Sequence, residues 1–352
     1  MKSQPRVYVL LLNWNGWRDS IECLESVFRQ NYADYRVLVC DNDSGDDSVA
    51  RIRAWAAGEL AVAPQPAPGG SAAAAPIPKP IPFVEYDRDQ VDDVGESPDP
   101  NVPLILINTG ENLGFADGNN VGLRYALAQG DAEYVWLLNN DTVVDAEALT
   151  RKIELADSDV RIGMVGAKIC YYDEPGTIQA IGGGNVTRWK GMAPLLGCGC
   201  ADDGGWTEPV EVDCILGASL LVRATTVRDI GLLDERYFMY AEEMDWCERA
   251  RRRGWRLLYS PGSKVWHKDG RSTGRRSPAQ DYYSVRSTLT FVKKFNPHLL
   301  PFTALYTFYR CLLPKIVRRQ PARLRAVLQA YADFARKRPA RRPAALGNAR
   351  GG

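Results

Sequence analysis

The sequence predicts an α/β fold, a mostly parallel sheet flanked by helices with a helical appendage at the C-terminal end, and three observations predict it. First, there are four short, nearly continuous apolar runs, "VYVLLL" (7–12), "RVLVC" (36–40), "LILIN" (104–108) and "YVWLL" (134–138). A parallel strand covered on both faces reads as such a run, without polar alternation. Second, polar turns and helical periodicity follow the runs: after the first, Ile21, Leu24, Val27 and Phe28 fall on one helix face. Third, each run ends in Asn or Asp: Asn13, Asp41, Asn108, and the trio Asn139, Asn140, Asp141. Asn and Asp favour turns and caps at any single position. In an open parallel sheet, however, ligands bind beyond the carboxyl ends of the strands, so four such endings predict one polar rim.

At 352 residues, with 45% hydrophobic and 25% charged side chains, the chain is large enough for one big domain and an appendage, and disorder or a fibrous repeat is excluded. The expected layout is a domain over residues 1–278, a helical region over 279–338 and a basic disordered tail over 339–352. Ten of the 22 prolines lie between Pro64 and Pro103, which predicts a flexible insertion at about 57–103 that carries no chemistry. The apolar run 7–12 is too short for a signal peptide or a membrane span, so a cytoplasmic location is expected. Eight cysteines show neither a disulfide framework nor zinc spacing.

The net charge of +1 conceals an asymmetry: residues 310–352 hold twelve Lys/Arg against the single acid Asp333. Such a segment is either a solvated tail or a patch that adheres to an anionic membrane surface, here the inner face of the cell membrane. The preceding "LLPFTALYTFYRCLLP" (299–314) is aromatic and apolar, yet interrupted by two prolines and an arginine. It suits the membrane interface better than its interior. No nucleic-acid partner is expected.

The rim is not a dinucleotide site, because no GxGxxG follows any strand, and no Walker A loop is present. Instead "NTGENLGFADGNNVG" (108–122) supplies glycines for close backbone approach and amides for a base or sugar. Asp141 supplies a carboxylate where a divalent ion, Mg²⁺ or Mn²⁺, can bridge to a diphosphate. Glu242, Glu243, Asp245 and Glu248 open a helix, where acids either cap the dipole or serve as a base.

These stretches, with "LLNWNG" (11–16), "CDNDSGDDS" (40–48), "NLGFADGNN" (112–120), "LLNNDT" (137–142), "GASLLVR" (217–223), "GLLDERYFMYAEEMDWCERARRRGW" (231–255) and "VWH" (265–267), resemble the inverting family 2 glycosyltransferases. The likeness covers roughly residues 5–290 and is nearest to the rhamnosyltransferase-like branch. It implies the Rossmann-like GT-A fold and transfer of a sugar from a nucleotide diphosphate, dTDP-rhamnose first, to a lipid-linked or cell-envelope glycan. By this resemblance Asp41 meets a uracil or thymine base, beside Asn13, Asn15, Asn42, Asn112, Gly114, Asn119, Asn139 and Asn140. Asp141 and His267 hold the divalent ion; Asn139 stands where relatives place the first Asp of DxD, which implies a more weakly held ion. Glu243 is the general base, with Asp245 second and Glu242 third. Trp246 and Tyr240 are either core or acceptor-stacking groups, and Tyr283 and Arg286 approach the donor phosphates. A UDP-galactosyl, glucosyl or galactofuranosyl transferase and a non-catalytic nucleotide-sugar-binding relative are the alternatives. The retained acidic pair favours an enzyme.

Overall fold

The computed structural model describes residues 4–62, 68, 75–91, 102–269 and 277–340. Its first half alternates strand and helix: β1 (Val7–Asn13), α1 (Trp17–Val27), β2 (Tyr35–Asp41), α2 (Ser48–Ala57), β3 (Phe83–Asp87), α3 (Arg88–Val91), β4 (Leu104–Asn108), α4 (Gly114–Ala128) and β5 (Tyr134–Asn139). There follow β6 (Thr142–Val144), α5 (Ala148–Ser158), β7 (Ile162–Tyr171), β8 (Ile178–Ile181), β9 (Gly183–Gly184), β10 (Val210–Glu211), β11 (Cys214–Ile215), β12 (Ser219–Arg223), α6 (Ala224–Ile230), α7 (Glu242–Arg252) and β13 (Arg256–His267). Three helices complete the chain, α8 (Pro278–Phe295), α9 (Leu300–Val317) and α10 (Pro321–Ala335).

One sheet joins the strands in the order β11-β9-β8-β7-β12-β5-β1-β2-β4-β3. From β5 to β3 every pairing is parallel, as the continuous apolar runs predict. Side chains of β1 are buried on both faces: Val7, Val9 and Leu11 meet α1 and α2, whereas Tyr8 and Leu10 meet α4. The sheet then departs from the parallel pattern, because β12 runs antiparallel between β5 and β7. Beyond it β13 pairs parallel with β7 and antiparallel with β6, which carries His267 opposite Thr142.

Within the expected insertion at 57–103, the described residues 75–91 are ordered against the sheet. Phe83–Asp87 forms an edge strand parallel to β4, and Ile77 and Ile81 are buried while Pro78, Pro80 and Pro82 are exposed. Prolines that alternate with apolar residues place rings and missing N–H groups toward solvent, where an extended segment at a sheet margin tolerates them. Residues 63–67, 69–74 and 92–101 lie outside the described residues, as does 341–352 of the expected tail.

Glu25 of α1 secures this segment. It accepts hydrogen bonds from Trp55 Nε1 (2.9 Å), the Ile77 N–H (3.0 Å) and Lys79 Nζ (2.8 Å). Burial pushes its carboxyl up, but Lys79 and these donors outweigh burial and hold it below its usual value near 4.5. Glu25→Ala leaves buried donors unpaired, and the expected loss is about 2–4 kcal/mol in urea unfolding. A depressed carboxyl stabilises above its unfolded value. In wild type this contribution is therefore present above about 4.5 and lost as pH falls through the lower folded value. The variant lacks that part of the acid dependence.

The two prolines of "LLPFTALYTFYRCLLP" do not break the helix as expected. Pro301 sits in the first turn of α9, where an N–H has no intrahelical partner, and Pro314 lies close to its end. No helix among the described residues is long and apolar enough to cross a membrane.

Candidate active site

Register gathers the strand ends: Asn13 pairs with Asp41, Asp41 with Asn108, and Leu12 with Asn139. Asn13 donates to Asp41 Oδ2 (2.6 Å) and accepts from Ser20 Oγ (2.7 Å). Asn140 donates to Ser20 Oγ (2.9 Å) and Asn13 Oδ1 (3.3 Å). This packing needs Gly16, since a Cβ there would lie 2.9 Å from Asn140 Nδ2. Asn15, at φ 51°, accepts from the backbone of Gly45 and Asp46 and shapes the turn after β2. Ser44 completes that turn, its N–H and Oγ both donating to Asp41. The amides thus form a frame that fixes the Asp41 carboxylate.

The second set of amides serves the backbone. Asn42 bonds Asn112 Oδ1, the Gly114 carbonyl and the Leu113 N–H. Asn119 is buried and donates to the Phe115 carbonyl. The expectation of direct donor contact is corrected for Asn42 and Asn119, which fix the 112–115 turn instead. Gly114 has φ 77°, and a Cβ there would stand 2.3 Å from the Phe238 carbonyl. Only glycine allows the Phe115 N–H to reach that carbonyl at 2.7 Å.

His267, at the end of β13, lies with Nε2 3.2 Å from Asp141 Oδ1 and 3.5 Å from Asn139 Nδ2. Its Nδ1 is 2.9 Å from Gln179 Oε1, an acceptor, which assigns the proton to Nδ1 and leaves a lone pair on Nε2. Asp141 Oδ1 is buried and makes no hydrogen bond. Two acceptors face one another across 3.2 Å, an arrangement that a divalent cation fits. Among the described residues no three His, Cys, Asp or Glu side chains gather around a metal position. Asp141 and His267 are therefore the protein ligands on offer, and diphosphate and water complete such a shell. Lys268 tightens the junction: its N–H donates to the Asp141 carbonyl, and Nζ bridges Asp19 (2.6 Å) and Glu22 (2.5 Å) of α1.

Across this rim stands the first turn of α7. A Cβ on Gly217 would lie 3.8 Å from Glu243 Cβ and Cγ, and the adjoining Ala218 carbonyl accepts the Asn139 N–H. Glu243 therefore neighbours the end of β5. Desolvation raises both carboxyls of the Glu242–Glu243 pair, and repulsion adds to the rise at Glu242. A side-chain hydrogen bond with Glu242 works against that rise at Glu243. Tyr240 (φ 68°) and Ala241 (φ 66°) precede the pair, two successive non-glycine residues in the left-handed region. Such backbone costs about 1–2 kcal/mol per residue and persists only when packing imposes it.

Two expectations on α7 are corrected. Asp245 is fully buried and accepts from Tyr237 Oη (3.1 Å), Arg249 Nε (2.7 Å) and Lys294 Nζ (2.6 Å), so it is an anchor and no base. Trp246 is fully buried with Nε1 on the Gly231 carbonyl, which removes it from acceptor stacking. Tyr283 stacks on Phe238 at 5.0 Å, and Arg286 bonds the Arg236 and Arg338 carbonyls. Sequence reasoning missed Gln179, Lys268, Ser20 and Ser44. The signal for Gln179 was a lone amide within the apolar strand "IQAI".

The fold is of the GT-A class. A mannosyltransferase from Pyrobaculum calidifontis, solved with GDP-mannose and Mn²⁺, superposes with a TM-score of 0.52 at 15% identity, covering 95% of this chain and 88% of that one. The chain belongs to the glycosyltransferase-like family 2, whose sequence model matches residues 83–280. The N-acetylglucosaminyl-diphospho-decaprenol L-rhamnosyltransferase of Mycobacterium tuberculosis is 29% identical over 211 residues, 55% of this chain and 67% of that protein. The low-salt glycan biosynthesis hexosyltransferase Agl10 of Haloferax volcanii is 29% identical over 150 residues, 42% of this chain. The chain spans 47% of that relative's length.

Proposed function

We propose that this chain is an inverting glycosyltransferase that moves a sugar, rhamnose from dTDP-rhamnose in the first place, to a hydroxyl of a lipid-linked or cell-envelope glycan. The observation that carries this reading is Glu243 packed over Gly217, beside the strand end that leads to Asp141. In this reading Glu243 removes the acceptor proton as the oxygen bonds to the anomeric carbon. The bond to the diphosphate breaks on the opposite face, so a single displacement inverts the configuration and requires no covalent nucleophile. Asp41, fixed by Asn13 and Ser44, accepts from the pyrimidine base. Asp141 and His267 hold a divalent ion, Mg²⁺ or Mn²⁺, which when bound supplies electrostatic stabilisation to the leaving diphosphate.

The choice of rhamnose is supported by the name of the mycobacterial relative, an N-acetylglucosaminyl-diphospho-decaprenol L-rhamnosyltransferase. A UDP-linked hexose is the second reading, favoured by the hexosyltransferase from Haloferax. Purified protein incubated with radiolabelled dTDP-rhamnose, UDP-galactose or UDP-glucose and a lipid extract distinguishes them. Label from dTDP-rhamnose is expected in the lipid fraction, with release of dTDP. Transfer from a UDP-hexose alone moves the assignment to the second reading. No transfer and no nucleotide release from any donor with Mg²⁺ or Mn²⁺ overturns the enzyme reading.

A further inference from the structure

Large apolar side chains stand exposed chiefly on one helix. On α9, Phe302, Leu305, Tyr309, Leu313 and Ile316 are each more than half exposed, and their spacing of three and four residues sets them on a single face. The opposite face, with Thr303, Thr307 and Lys315, is buried. This inverts the usual surface helix, whose outward side is polar. Trp189 extends the face: its ring meets Tyr306 edge-on at 5.1 Å, and Thr303 Oγ1 donates to its carbonyl at 2.6 Å. A cleft between Trp189 and α9 is lined by aromatic and aliphatic side chains alone.

Charge borders this face. Lys190 lies over both Trp189 and Tyr306, and Arg310, Arg318 and Arg319 are exposed along α9 and just past its end. Neither α9 nor the stretch that follows it contributes an exposed acid: α9 has none, and Asp333 of α10 is buried against Tyr282 and Gln329. With 18 residues that include Arg310 and Lys315, α9 is not a crossing helix. An apolar face with Trp and Tyr, edged by Lys and Arg, matches the boundary between headgroups and acyl chains.

We infer that α9 and the Trp189 turn seat this protein on an anionic lipid bilayer, with the apolar face entering the headgroup region and the basic side chains meeting the lipid charges. The sequence placed membrane adhesion in the basic C-terminal segment and in residues 299–314; the exposed side chains narrow the second of these to one outward face of α9. This surface is independent of the sugar-transfer reading. The test is sedimentation of the full chain with vesicles of phosphatidylcholine alone or with about one third phosphatidylglycerol. Wild type is expected to sediment with the anionic vesicles and to dissociate as salt rises. A Leu305→Glu/Ile316→Glu variant, with an unchanged thermal melting curve, is expected to bind at least tenfold more weakly. An Arg318→Gln/Arg319→Gln variant, which leaves the fold untouched, is expected to lose roughly 25-fold, about fivefold for each charge removed. Failure of wild type to bind either vesicle overturns the proposal, and so does binding that ignores Glu at 305 and 316. Light scattering that shows a dimer dissolved by the same Glu substitutions, without vesicle binding, assigns the face to a second copy of the chain and equally overturns it.

Discussion

Replacing Glu243 with Gln is expected to lower the turnover rate about 10²–10⁴-fold, the contribution of a positioned base, with little change in donor KM. Gln keeps the size and packing against Gly217, so a fall confined to turnover isolates proton removal from binding. The pH profile supplies a second reading. Catalysis needs Glu243 ionised, and its carboxyl is raised above the usual 4.5 chiefly by desolvation. The acid limb of kcat/KM is therefore expected above the ordinary carboxylate range, with activity falling as pH drops through it. Glu242 works in the opposite sense, because its side-chain hydrogen bond with Glu243 lowers Glu243. Glu242→Leu deletes that bond and is expected to move the limb to higher pH, whereas Glu242→Gln retains a hydrogen-bonding group and leaves it nearly in place. Turnover that survives Glu243→Gln at the wild-type rate would end the assignment.

Asp141→Asn is expected to abolish the metal-dependent part of nucleotide binding. The substitution preserves the shape of a side chain only 4% exposed and removes the charge that faces His267. A ligand present at a hundred times its Kd stabilises the fold by about 2.7 kcal/mol. In a thermal-shift experiment, dTDP or UDP with Mn²⁺ is expected to raise the wild-type Tm by several degrees more than either nucleotide alone. In the variant that Mn²⁺ increment vanishes, and turnover falls at least 10²-fold for want of several kcal/mol of electrostatic stabilisation. An undiminished increment would remove Asp141 from the ion site.

The parallel half of the sheet and its rim were legible because strands buried on both faces must be apolar throughout, while their ends, facing a crevice, must turn polar. The stretch 76–82 that leads into strand β3 was not, because its prolines masked a pattern in which Ile77 and Ile81 turn inward. At the site, residue types were legible and their orientations were not. Asn42 and Asn119 carry suitable amides, yet nothing in the sequence says that these close upon the chain's own backbone. The choice between Glu243 and Asp245 is similar. Two residues apart on a helix means about 200° of rotation, which puts one carboxylate over Gly217 and sends the other into the core to meet Lys294. Gln179 was out of reach, since its meeting with His267 depends on β8 lying beside β7, where β13 also pairs.

The division suggested by the sequence at residue 278 acquires a different meaning from the contacts of α8. Tyr283 stacks on Phe238, Ser287 binds the Met239 carbonyl, Arg286 binds the Arg236 carbonyl, and Lys294 holds Asp234 and Asp245. All of these partners lie on the segment that bends at Tyr240 and Ala241 or on the helix turn that it launches. A fragment severed at 278 would keep the whole sheet yet relinquish the brace that forces this bend. The C-terminal helices are thus no detachable accessory but a splint for the crevice, and engineering that exchanges them between relatives must transplant the bend along with its brace.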